Sequence, residues 1–194
     1  VISENRITKI SKSYSLKKAC LFGCVATTAL SLVYNELNLK YKDVLLVVGA
    51  GGLGQLIIQA AKKFNIKKII VIDLNNLALQ KAKKLGANII INSKSKKIYK
   101  KLKNFKINKS VVATGDIKAI EKTIKITSLP GTCYIMGVPK KSGILKINAW
   151  NIMHNQTIKG CLGGNAFPER DINKFIKLEK NKIINLNKII YKTF

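Results

Sequence analysis

From Asp43 onward the chain alternates short, β-branched apolar runs with stretches whose apolar residues recur at helical spacing. Residues 44–48 (VLLVV) are too uniformly apolar for a sheet face left in water and predict a central parallel strand covered on both sides. A glycine-rich turn follows, and residues 55–64 then set Leu56, Ile57, Ala60, Ala61 and Phe64 along one helical stripe. Residues 68–72 predict a second strand ending at Asp73. Residues 77–85 predict a second helix closed by Gly86, a residue type suited to the position just past a helix. Further strands are expected at 88–91, 110–113, 132–136 and 157–162, with a helix at 117–126 and an edge strand at 145–148. Repeated strand–helix–strand units imply right-handed crossovers, so the expected fold is α/β, a doubly wound parallel sheet.

Composition agrees. Of 194 residues, 47% are hydrophobic and only three are proline, which describes a globular chain and excludes disorder as its main state. The longest apolar run, 19–33, is interrupted by Thr27, Thr28 and Ser31 and is shorter than the roughly 18–20 residues a membrane-spanning helix needs. It follows Lys17 and Lys18 rather than opening the chain on a charged segment, so a secretory leader is not expected either. A cytoplasmic protein without a membrane partner is the expectation.

Charge changes the picture less than its size suggests. Lys and Arg total 36 against 9 Asp and Glu, a formal net charge of +27, which by itself would favour a polyanionic partner. Only Arg6 and Arg170 are arginines, so the bidentate, base-reading cation is nearly absent and no specific nucleic-acid readout is expected. The one local cluster, residues 94–106 with Tyr99 and Phe105, reads as a solvated lysine-rich helix or as a weak RNA or membrane-surface patch. Cys20, Cys24, Cys133 and Cys161 show no CxxC pairing, and reduced thiols are expected. His154 is the only histidine.

Gly49, Gly51 and Gly54 form a GxGxxG motif between a strand and a helix, the context in which that pattern carries meaning. Gly49 permits the tight turn, Gly51 admits a pyrophosphate close to the backbone, and Gly54 lets the helix lie against the strand. The free N–H groups of Gly52 and Leu53 would hold the negative charge. Asp73 stands about 20 residues further on, placed to accept hydrogen bonds from an adenosine ribose and to repel a 2′-phosphate, which favours NAD over NADP. The alternative is that the glycines serve only a tight strand-to-helix turn.

The chain resembles the medium-chain, zinc-type alcohol dehydrogenases over nearly its whole length. The resemblance runs through Lys18-Ala19-Cys20-Leu21-Phe22-Gly23-Cys24, Thr27-Thr28, the glycine motif, Asp73 and Lys84-Leu85-Gly86-Ala87. It continues through Gly115, Met136-Gly137-Val138-Pro139, Lys159-Gly160-Cys161 with Gly163-Gly164, and Pro168-Glu169-Arg170-Asp171-Ile172. It implies a Rossmann coenzyme domain and hydride transfer between a small-molecule alcohol and NAD. Cys24 is implied as one ligand of a catalytic zinc, with Thr28, Gly137 and Val138 beside the nicotinamide. Read from position alone, Cys24 is equally a small buried hydrophobe, and Cys20, Cys133 and Cys161 are expected in the core. Val25 and Ala29 stand where the family usually carries glycine, and their bulk is expected to narrow the nicotinamide site. Ala78 stands where a basic residue often lies.

The resemblance places the remaining zinc ligands in an N-terminal catalytic domain that precedes this chain. Its first residue is Val1, and the expectation is an incomplete gene product, inactive alone. Residues 1–25 are then a catalytic-domain remnant, exposing Ile2, Ile7 and Ile10; residues 26–163 are the NAD-binding domain and 164–194 a return segment. A homodimer is expected through the strand at 145–148. The alternatives are an isolated, non-catalytic NAD-binding module and a lysine-driven nucleic-acid binder.

Overall fold

Residues 7–95, 98–102 and 104–190 are described by a computed structural model, excepting the side chains of Tyr99 and Lys100. Six strands, β1 (Val44–Val48), β2 (Lys68–Asp73), β3 (Ile89–Asn92), β4 (Lys109–Val112), β5 (Gly131–Ile135) and β6 (Gln156–Gly160), pair in parallel in the order β3-β2-β1-β4-β5-β6. The chain winds outward from β1 to β2 and β3 on one side, then crosses back to β4 on the other. The doubly wound fold read from the sequence is therefore the fold of the molecule, with its crevice at the β1/β4 reversal.

β1 shows why. Its alternate residues serve opposite layers: Leu45 and Val47 join Leu56, Ile57, Ala26 and Phe175, whereas Val44, Leu46 and Val48 join Ile70, Leu102, Ile107 and Ile120. Both faces are buried, and each of Leu45, Leu46 and Val47 is fully excluded from water. Each such burial contributes about 1.5–3 kcal/mol. The first layer is built by α2 (Val25–Ser31), α3 (Gly52–Lys62), α4 (Asn76–Leu85) and α8 (Pro168–Lys180), the second by α5 (Ile98–Leu102) and α6 (Ile117–Ile126).

Before β1 the chain forms a short α1 (Leu16–Ala19), a tighter turn at Cys20–Gly23, and α2, which widens into a π-helical turn at Leu32–Glu36. Tyr14 and Phe22 belong to the same core as the sheet, and Ile10 packs against it; Ile7 is exposed, and Ile2 lies outside the described residues. Among the described residues no single helix is long and apolar enough to cross a membrane.

Several expectations are corrected. Residues 145–148 are not a strand: Leu145 packs partly on the core, while the Lys146 N–H donates to Glu121 Oε1 instead of to another strand. The segment leads into a short α7 (Ala149–Met153) with no buried residue, and the sheet edge on that side is β6. Cys20 is exposed rather than core, its thiol donating to the Lys17 carbonyl at 3.2 Å. Cys133 and Cys161 are buried as expected. In the lysine cluster, Ile98 and Leu102 are buried and Phe105 lies under Lys68 Nζ at 4.9 Å; Lys96, Lys97 and Lys103 lie outside the described residues.

Candidate functional site

A cleft of about 380 Å³ opens at the carboxyl ends of β1, β2 and β4, lined by Gly49, Asp73, Ser93, Thr114 and Ile126 among others. Gly49 turns the chain out of β1 with φ of +102°, a conformation that L side chains rarely adopt. The helix that follows, α3, begins at Gly52, inside the motif. A Cβ on Gly54 would stand 2.0 Å from the Gly49 carbonyl oxygen, so the helix can lie this close only with glycine there. A Cβ on Gly51 would meet nothing within 4 Å, which leaves the space above the loop open.

The helices around the cleft differ in how they begin. Asn75 Oδ1 accepts from the N–H groups of Leu77 and Ala78 at the start of α4, and Asp116 Oδ1 from that of Ala119 at the start of α6. No side chain caps α3, whose N-cap is Gly51. The first amides of a helix have no intrahelical partner, and those of Gly52 and Leu53 receive none from a capping side chain.

Asp73, half-buried at the end of β2, anchors the loop directly: Oδ2 accepts from the Ala50 N–H at 2.6 Å and Oδ1 from the Asn75 N–H at 2.7 Å. Each oxygen has one lone pair left for a ligand. The structure thus brings Asp73 and the glycine motif together at one mouth.

The loops after β4 and β5 are stitched backbone to backbone. A Cβ on Gly115 would stand 2.0 Å from the Val138 carbonyl oxygen, and one on Gly137 would stand 2.2 Å from the Thr114 carbonyl carbon. Gly137 is half-buried and Val138 stands 84% exposed. Thr28 is half-buried on α2, its carbonyl beside Gly164. Val25 leans against the start of α3, 3.4 Å from where a Gly52 Cβ would lie, but Ala29 is fully buried in the core. The narrowing expected of the pair can therefore come from Val25 alone.

Cys24 stands at the residue preceding α2, makes no side-chain capping bond to it and is exposed, which rejects the reading of it as a buried hydrophobe. Among the described residues no three His, Cys, Asp or Glu side chains stand together to hold a metal ion, so these residues do not by themselves fit a zinc centre. His154 is exposed; its Nδ1 lies 2.8 Å from the Trp150 carbonyl oxygen and its ring stacks on Trp150. Burial pushes the Cys133 thiol up to about 11 and raises that of Cys161, which makes both poor nucleophiles.

Two carboxylates away from the cleft lining tie neighbouring elements together. Glu36 pairs with Lys159 Nζ at 2.5 Å and accepts from Asn165, tying the π-helical turn to β6 and holding its carboxyl below the usual range. Asp171 is fully buried. Burial would raise its carboxyl, but bonds from Arg170, the Phe167 N–H and Asn35 outweigh that and hold it low.

The residues that sequence reasoning missed are polar groups around the loop and cleft. Thr114 and Ser93 line the cleft, and Gln55 donates through Nε2 to the Ala50 carbonyl at 2.8 Å. The helical stripe identified the apolar neighbours of Gln55 but gave no sign of the direction of its own amide.

Residues 52–181 match the family model of the zinc-binding dehydrogenases. Alcohol dehydrogenase 3 of Hordeum vulgare is 26% identical over 196 residues, an alignment covering 98% of this chain and 52% of that protein. The structure of benzyl alcohol dehydrogenase from Acinetobacter calcoaceticus superposes with a TM-score of 0.89 at 22% identity, over 95% of this chain and 52% of that one. An alcohol dehydrogenase from E. coli CFT073, solved in complex with the cofactor NADH, superposes with a TM-score of 0.81 at 25% identity, over 96% of this chain and 54% of that one. The chain spans about half the length of the curated relatives it matches.

Proposed function

Because the chain belongs to the zinc-binding dehydrogenase family, we propose that it is the coenzyme-binding portion of an NAD-dependent, zinc-containing alcohol dehydrogenase. The observation that carries this reading is the uncapped amino end of α3, under open space and beside Asp73. The N–H groups of Gly52 and Leu53 hold the pyrophosphate, with Gly49, Gly51 and Gly54 shaping the loop that brings backbone to it. Asp73 uses its remaining lone pairs to accept from the adenosine ribose diol, and its charge repels a 2′-phosphate. Thr28, Gly137 and Val138 border the nicotinamide end. When bound, NAD supplies the hydride acceptor for an alcohol, or the donor for the corresponding carbonyl.

Cys24 contributes one exposed thiol toward a zinc whose other ligands the described residues do not supply. Residues 1–25 and 164–194 are read as the parts of the chain that adjoin a catalytic domain, and 26–163 as the coenzyme domain. On this reading the chain alone binds NAD and turns over no alcohol. The protein is cytoplasmic, has no specific nucleic-acid partner, and forms a homodimer through the β6 edge in place of the absent strand at 145–148. Sedimentation as a monomer at high micromolar concentration would remove the dimer.

Calorimetric titration with NAD and NADP tests the central reading. Saturable NAD binding is expected, with NADP weaker, and Asp73→Ala is expected to lose at least about tenfold in NAD affinity while narrowing the gap to NADP. Absence of binding to either coenzyme would overturn it. The second reading, a non-catalytic dinucleotide-binding module, is favoured by the lack of three adjacent metal-capable side chains among the described residues. Alcohol-dependent NADH formation by the protein in its native assembly would exclude it.

A further inference from the structure

Ala50, at the centre of the glycine loop, is gripped from two sides. Its N–H donates to Asp73 Oδ2 at 2.6 Å, and its carbonyl accepts from Gln55 Nε2 at 2.8 Å. Both Ala50 and Gln55 are essentially excluded from water. In a trans peptide the carbonyl and the next N–H lie in one plane and point in opposite directions. Drawing the Ala50 carbonyl inward to Gln55 therefore turns the N–H of Gly51, an exposed residue, away from Gln55.

We infer that Gln55 is a positioning residue for anion recognition: its buried amide orients the Ala50–Gly51 peptide so that the Gly51 N–H joins those of Gly52 and Leu53 on a coenzyme phosphate. This rests on the coenzyme reading above for the identity of the anion, but not for the geometry of the loop. The other half of the same amide supports the inference. Gln55 Oε1 is buried with no hydrogen-bond partner among the described residues. The Nε2 bond keeps the buried Ala50 carbonyl paired, while the unpaired Oε1 opposes folding, so the amide adds less stability than a fully bonded one would. A group retained in spite of that cost is characteristic of a site where binding and stability compete.

Gln55→Met removes the donor while keeping a comparable volume, and Gln55→His keeps a ring N–H able to donate. NAD, ADP and adenosine are titrated against the whole chain and both variants, with adenosine followed by NMR shifts. Gln55→Met is expected to weaken NAD and ADP by about tenfold each. Adenosine affinity should stay within about twofold and Tm within about 3 °C. Gln55→His is expected to recover most of the phosphate-dependent affinity. Equal losses for all three ligands, no loss for any, or a collapse in Tm would overturn the inference and assign Gln55 to structure alone. If the wild type binds none of the three, the coenzyme reading fails, and the loop is read without ligand. The Ala50 amide should then exchange at least about tenfold faster in Gln55→Met, and unchanged exchange would overturn the inference.

Discussion

The loop after β1 and the segment after β5 both leave the carboxyl edge of the sheet, yet they are built on opposite plans. In the first, Ala50 is fully buried, its two peptide groups are fixed by Asp73 and Gln55, and Gly54 closes on Gly49 without room for a methyl group. In the second, beyond the stitch at Gly137, Val138 and Ile144 are at least 80% exposed, Trp150 and Met153 stand out, and α7 buries nothing. The glycine-loop half of the cleft is thus organised by the chain's own residues, whereas the other half presents apolar side chains to solvent. Beyond the stitch it is held at scattered points, by Leu145 on the core and by the Lys146 N–H on Glu121.

Substitutions should expose that contrast. Gly54→Val drives a side chain into the Gly49 carbonyl and is expected to cost about 3 kcal/mol or more, read as a drop in the urea midpoint. Asp171→Ala leaves the Phe167 N–H without its acceptor, takes one of two acceptors from Asn35, and should cost about 2 kcal/mol in the same assay. The pH dependence of stability follows from the same group. Asp171 and Glu36 titrate below their ordinary values of 3.8 and 4.5 in the folded chain, so their contribution is complete above those values. It is lost as pH falls through the lower, folded values. An acid limb below about pH 4.5 is expected, shallower in Asp171→Ala; an identical limb in the variant would show that other carboxylates govern it. At the far end of the scale, Met153→Ser on α7 should change stability by less than about 0.5 kcal/mol. A loss of 2 kcal/mol there would mean that the exposed segment is packed in solution and that the contrast is false.

The sheet was legible because burial on both faces leaves an unmistakable trace: β1 has no polar residue, and β2 alternates into the same two layers. The strand β1 has its expected ends, and the other strands differ from expectation by at most two residues at either end, some of them where polar residues such as Lys109 and Asn92 extend the ladder. The segment at 145–148 misled because Leu145 and Ile147 alternate as strand residues do. Alternation reports which side chains face inward, not whether a neighbouring backbone is present to pair, and here the Lys146 amide found a carboxylate. Cys20 was misplaced because its expected burial rested on the general tendency of free cysteine, whereas it opens the tight turn at Cys20–Gly23, whose one buried residue is Phe22. In the site, the glycines and Asp73 were readable from spacing. Gln55, Thr114 and Ser93 were not, because a polar residue's direction is fixed by the fold around it.

The carboxylates of this molecule carry one more consequence. Glu36, Asp43, Asp73, Asp116, Glu121, Asp171 and Glu179 each accept a hydrogen bond from a backbone amide or a neighbouring side chain, and among the described acids only Glu169 does not. A lysine-rich surface of this kind has no reserve of idle acids. Some lysines are fastened too, as Lys18 is to Glu179 and Lys159 to Glu36, but exchanging almost any described acid for a lysine removes a hydrogen bond and adds to an already positive field. Mutational tolerance in this chain is therefore directional, generous on its positive side and nearly exhausted on its negative one.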